Sequence, residues 1–131
     1  MYKLTFILFS FFSFALPILA VPVPASDEIN ALEKRVTYSG RGTWYETGMG
    51  NCGWENNDNQ LVVAVSESVY SNGVHCGKTV LVHSGGKTAQ AEVVDSCPGC
   101  GENDLDMSPA MFQHFSGLGT GVISIQWSYT S

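Results

Sequence analysis

Two aspartates, a few aromatic side chains and a close cysteine pair are the residues of this 131-residue chain best suited to chemistry. Asp95 follows the apolar pair Val93-Val94, and Asp106 stands two residues before Ser108-Pro109. A carboxyl group at a surface can accept bonds from hydroxyls or, with its pKa raised, donate a proton. Each also has a plainer role. Asp95 could accept backbone N–H bonds that fix the Cys97 loop, and Asp106 could be a favourable charge near the start of the following helix. Trp44 and Tyr45 are adjacent and face opposite ways in an extended strand, so one of them belongs to the core. Trp54 lies in a polar segment and reads as exposed, whereas Trp127 lies in an apolar run and reads as buried. An exposed indole can stack on the C–H face of a sugar.

Cys97-Pro98-Gly99-Cys100 read alone could be a redox or zinc pair. A lone Cys-x-x-Cys with no second pair is weak for zinc, and an oxidising compartment favours a disulfide. The four cysteines make two disulfides in one of three connectivities. His75, His83 and His114 read as loop histidines with satisfied ring nitrogens, so no metal and no cofactor is expected. Gly117-Leu118-Gly119-Thr120-Gly121 follows a helix and precedes a strand, the reverse of a nucleotide-binding loop. No nucleophile-plus-base motif of a hydrolase and no Asn-x-Ser/Thr sequon is present.

The segment order says where these residues act. Lys3 precedes an uncharged apolar run from Leu4 to Leu19 that ends at Ala20, so residues 1–20 read as a secretory signal peptide. Residues 21–35, from Val21-Pro22-Val23-Pro24 to the dibasic Lys34-Arg35, read as a pro-segment cut by a kexin-type protease. Residues 36–131 then form one small extracellular domain with a modest core that disulfides would brace. The net charge is −6 and stays so in residues 36–131, which hold three basic and nine acidic residues. That balance disfavours nucleic acid and anionic membranes and suits a neutral or cationic partner.

Short β runs broken by Gly, Asn and Asp clusters predict an all-β domain. The spacing predicts a strand over 36–45, a long functional or pinned loop over 46–60, and a strand over 61–65 buried on both faces. A helical turn follows at 66–70. Strands at 78–83 and 88–95 pair through Gly85-Gly86, and a loop over 96–103 comes next. Ser108 and Pro109 start a helix that runs to Phe115 and stops before Gly117, and a last strand covers 122–127.

Three blocks in order are the specific signal: Gly42-Thr43-Trp44-Tyr45, Val94-Asp95-Ser96-Cys97-Pro98 and Asp104-Leu105-Asp106-Met107-Ser108-Pro109. Together they resemble the double-psi β-barrel of expansins, barwin-like proteins and lipoprotein-A-like domains. With Asn51-Cys52-Gly53, His75-Cys76-Gly77 and Cys97-Pro98-Gly99-Cys100, the pattern is most similar to the fungal single-domain loosenins. The resemblance implies a six-stranded barrel with one or two short helices, disulfides Cys52–Cys76 and Cys97–Cys100, and an open groove for a glycan. Thr43, Tyr45, Asp95 and Asp106 match the positions tied to loosening, with Trp54 as an added platform and Trp44 turned to the core. Asp106 resembles the general acid of family 45 endoglucanases, but the position of their base is held here by Thr47, and Glu46 beside it faces the other way. The implied function is a secreted monomer that binds cell-wall polysaccharide such as cellulose or chitin without hydrolysis. The alternatives are a secreted cysteine-protease inhibitor or host-interacting effector on the same barrel, and a weak glycan-cleaving enzyme.

Overall fold

The computed structural model describes residues 36–131 and, before them, Ser13, Ala15 and Pro17. Apart from those three residues, the expected signal peptide and pro-segment lie outside the described residues. Six strands form a closed barrel: β1 (Tyr38–Trp44), β2 (Val62–Ser66), β3 (Thr79–Ser84), β4 (Lys87–Cys97), β5 (Leu105–Met107) and β6 (Ile123–Tyr129). Around the wall the order is β1-β5-β2-β4-β3-β6, with β1/β5 and β2/β4 parallel and the other four neighbours antiparallel. Two short helices, α1 (Glu67–Tyr70) and α2 (Pro109–Gln113), lie between strands. Among the described residues no helix is long and apolar enough to cross a membrane.

Alternation builds the interior. Val80 and Val82 of β3, Ala91 and Val93 of β4, Leu105 and Met107 of β5, and Ile125, Trp127 and Tyr129 of β6 point inward with Val63 and Val65. Met111 and Phe112 of α2 join the same cluster. On β1 the inward position between Tyr38 and Trp44 includes Gly42, where a Cβ would come within 2.4 Å of the Met107 methyl. Only hydrogen fits there, which lets β1 lie close against the core.

The strand expected at 61–65 is β2, shifted by one residue: Val62 to Ser66 are all buried, as its continuous apolar character predicts, whereas Leu61 lies outside it and is exposed. Ser66 caps α1 and Ser108 caps α2, each through its hydroxyl and the amide three residues on. Pro109 occupies the first turn of α2, as expected. Several bounds differ from expectation. β4 continues to Cys97, α2 ends at Gln113, and His83, also read as a loop histidine, lies on β3 within the strand expected at 78–83. Leu105–Met107, read from sequence only as the approach to the helix, is a strand paired on both sides. Three residues are too few to show a period.

Both disulfides form as the resemblance implied, Cys52–Cys76 and Cys97–Cys100. The first pins the long loop. That loop also carries its own bridge, Met49 to Glu55, and is held to β4 by the Cys52 N–H on the Val94 carbonyl.

Candidate functional site

Four adjacent strands place one row of side chains across the barrel wall. Thr43 on β1 is in register with Asp106 on β5, Asp106 with Ala64 on β2, and Ala64 with Asp95 on β4. Registered neighbours share a face, so these four side chains project to the same, outer side. Asp95 and Asp106 are two strand spacings apart, roughly 9–10 Å between backbones. The small Ala64 floor lies between them.

Asp95 reaches this face through a β-bulge. Val63 pairs with Val93, but Ala64 pairs with Asp95, so Val94 is an extra residue on β4. Strict alternation from the inward Ala91 and Val93 would have turned Asp95 into the barrel. One inserted residue reverses the facing of all that follows, which bulges next to functional sites commonly do.

Asp95 Oδ1 accepts the backbone N–H of Asn51 at 2.9 Å and of Ser96 at 2.8 Å. The plainer role considered for Asp95 is therefore real: it holds Ser96, the residue before Cys97, and it also holds Asn51 of the 46–61 loop. Gly50 makes this approach possible, since a Cβ there would lie 2.4 Å from the Val94 carbonyl oxygen and 3.2 Å from the Asp95 Cβ.

Asp106 Oδ1 accepts the Thr43 hydroxyl at 2.8 Å. Burial, opposed by that hydroxyl and assisted by the charge of Asp95, pushes the Asp106 carboxyl above the ordinary carboxylate value. Burial, with the charges of Asp95 and then Asp106, likewise pushes the Tyr45 phenol well above its usual value. Tyr45 follows Thr43 by two residues and so continues on its face, where Thr43, Tyr45, Asp95 and Asp106 are half-buried around the buried Ala64. Trp44 turns the other way, against the core, with its Nε1–H donated to the Leu118 carbonyl at 2.9 Å.

Trp54 is 44% exposed and its ring rests beside Gly77, next to the Cys52–Cys76 bridge. It belongs to the loop that Asp95 anchors, at the margin of the patch. Trp127 is buried. His75 Nδ1 lies 2.7 Å from the Val69 carbonyl and its ring stacks on Tyr129. The Cys97 and Cys100 sulfurs and the Asp106 carboxylate lie within 4.8 Å of one another, yet the sulfurs are bonded together and offer no thiolate to a metal.

Two contacts at this site were not read from the sequence. Asp104 accepts from the Arg41 backbone N–H, the Arg41 guanidinium and the Gly101 N–H. Burial would raise its carboxyl, but those donors outweigh it and hold Asp104 below the usual range. Asp58 Oδ1 accepts both the N–H and the hydroxyl of Thr47, at 2.8 and 2.9 Å, so a loop carboxylate stands beside Thr47. Eleven residues separate that pair, and no local pattern announces it.

Among solved structures the chain is similar to a Clavibacter michiganensis expansin mutant in complex with cellohexaose, at 29% identity and TM-score 0.68 over 73% of this chain and 51% of that one. It is also similar to a Streptomyces papain inhibitor, at 29% identity and TM-score 0.69 over 74% of this chain and 96% of the inhibitor. The chain is an expansin-like double-psi β-barrel. Curated relatives of this expansin-like chain include an Allergen Asp f 7 homolog of Arthroderma benhamiae, 35% identical over 79 residues, which are 56% of this chain and 27% of the relative. Kiwellin of Actinidia chinensis is 35% identical over 89 residues, 54% of this chain and 40% of kiwellin. The chain thus spans less than half the length of these relatives. No family model matches it.

Proposed function

We propose that this expansin-like barrel is secreted and binds cell-wall polysaccharide across the Thr43–Asp106–Ala64–Asp95 row, loosening contacts between chains without cutting them, as a loosenin-like monomer. One observation carries the reading: the row and Tyr45 share one outer patch on a barrel whose fold matches an expansin solved with cellohexaose. Sugar hydroxyls that bond to neighbouring chains in a wall would bond instead to the Asp95 and Asp106 carboxylates. Tyr45, and Trp54 at the margin, would supply apolar faces for the rings. Each exchange is nearly neutral in free energy, because one hydrogen bond replaces another. Slippage between chains then needs no bond cleavage. In this reading residues 1–20 are a leader, residues 21–35 are removed at Lys34-Arg35, and the working domain starts at Val36.

The test is retention on insoluble cellulose and chitin. Wild type should be retained, and an Asp106→Ala, Tyr45→Ala double variant should lose about tenfold or more, the size expected when two contacts of about 1 kcal/mol each are removed. Equal retention of the two proteins would remove the groove from the account. No new reducing ends should appear during binding. Release that disappears in Asp106→Asn would replace loosening with cleavage.

A second reading has its own support, because the papain inhibitor is matched over 96% of its length. In it the working surface is the 46–61 loop, which exposes Met49 and Trp54 and is stapled by Cys52–Cys76. Inhibition of a papain-type protease that survives Asp106→Ala would favour this reading.

A further inference from the structure

The charge around the groove narrows the class of glycan. Among the described residues only Arg41, Lys78 and Lys87 are basic. Arg41 is on the groove face, two residues before Thr43, and is neutralised there by Asp104 at 3.2 Å. Lys78 sits over the Tyr129 ring of β6, 5.5 Å from its centroid. Lys87 stands at the far end of β4, eight residues and therefore roughly 26 Å from Asp95. That is more than two Debye lengths at physiological salt.

The segments that flank these residues in the chain are equally one-sided. From Glu46 to Gly77 the chain carries Glu46, Glu55, Asp58 and Glu67 and no lysine or arginine, and from Asp95 to Ser131 it carries none either. Asp95 and Asp106 are half-buried on the outer face, and the Thr43 hydroxyl is donated to Asp106. A ligand that suits this face brings hydrogen-bond donors and no negative charge.

We infer that the groove selects a glycan bearing protonated amines, a partly or fully de-N-acetylated β-linked glucosamine polymer, over neutral glycans, and rejects polyuronates. This rests on the groove being the glycan site. An ammonium supplies three donors and a charge, and a charge-assisted bond to a carboxylate is about twice as strong as a neutral one. A uronate places its carboxylate against Asp95 and Asp106, with Arg41 already held by Asp104.

The probes are glucosamine, N-acetylglucosamine, glucose and galacturonic acid oligomers of equal length, titrated into the folded domain by calorimetry. A pH of about 6 keeps most of the glucosamine amines protonated. At low salt the glucosamine oligomer should bind roughly five- to tenfold more tightly than the neutral ones. The galacturonic acid oligomer should not bind. Raising salt to about 0.5 M should erase most of the preference, because exposed charges are screened. Asp106→Asn, whose amide oxygen can still accept the Thr43 hydroxyl, should reduce the preference to about twofold, read as the ratio of glucosamine- to glucose-oligomer affinity within that variant, whatever its overall affinity. Equal affinity for glucosamine and glucose oligomers, a preference insensitive to salt, or binding of the uronate would each overturn the inference and leave the glycan reading intact. Failure of all four to bind would overturn both.

Discussion

Asp106 holds its charge at a cost to the fold. Its pKa is raised first by burial, so the folded state keeps the proton at pH values where the unfolded chain has lost it. That contribution to stability is fully present below the ordinary carboxylate value and is lost as pH rises through the raised one. Asp106→Asn keeps an acceptor for Thr43 and removes the ionisable group. It should therefore melt at a higher temperature than wild type at neutral pH, with the difference shrinking at about pH 3. A lower melting point for the variant at pH 7 would show that the charge is stabilised by its surroundings. Tyr45 carries the same sign for the same first reason, burial. The unfolded chain loses its phenolic proton near about pH 10 while the folded chain retains it, so stability falls as pH climbs past that point. Tyr45→Phe should flatten this alkaline limb in denaturant titrations. An unchanged limb would place the Tyr45 hydroxyl in contact with solvent and away from both carboxylates.

At the scale of elements, the site is assembled by a bulge and a staple. The extra residue Val94 turns Asp95 outward, and Cys52–Cys76 holds the loop whose Asn51 N–H binds Asp95. Cys52–Cys76 spans 24 residues, and its loss, tested as the double alanine variant, should cost about 3 kcal/mol in denaturant unfolding and weaken glycan retention with it. Cys97–Cys100 spans three residues and should cost less, about 2 kcal/mol. Reversed magnitudes would mean that the 46–61 loop is ordered by its own bonds. Many of these elements were legible in the residues. The continuous run 61–65, the Gly85-Gly86 hairpin and the Ser108-Pro109 helix start each carry a strong local signal, and each is present. β5 was not legible, because its three residues owe their strand character to β1 and β2 on either side. The bulge was equally silent, since Val93-Val94-Asp95 reads as an ordinary strand end. For this reason Asp95 was legible as a candidate while its attachment to Asn51, 44 residues away, was not. Asp58 beside Thr47 was missed for the same cause, a tertiary contact with no local pattern.

For the whole molecule, the barrel does two separable jobs. Val63, Val65, Val93, Leu105, Trp127 and their neighbours close a core in which little surface remains for chemistry. The outer wall of β1, β5, β2 and β4 carries the candidate groove, with Asp106 on β5 and Asp95 on β4. The three blocks that carried the resemblance in the sequence lie on β1, β4 and β5 of this wall, whereas β3 and β6 contribute only generic alternation. The direct test is amide chemical-shift mapping of the folded domain titrated with a soluble β-linked oligosaccharide. The account predicts that the shifting amides cluster at Thr43, Tyr45, Ala64, Asp95 and Asp106, with weaker changes at Trp54. Shifts confined to the β3–β4 hairpin or the 46–61 loop tip, with this row unmoved at saturation, would contradict it.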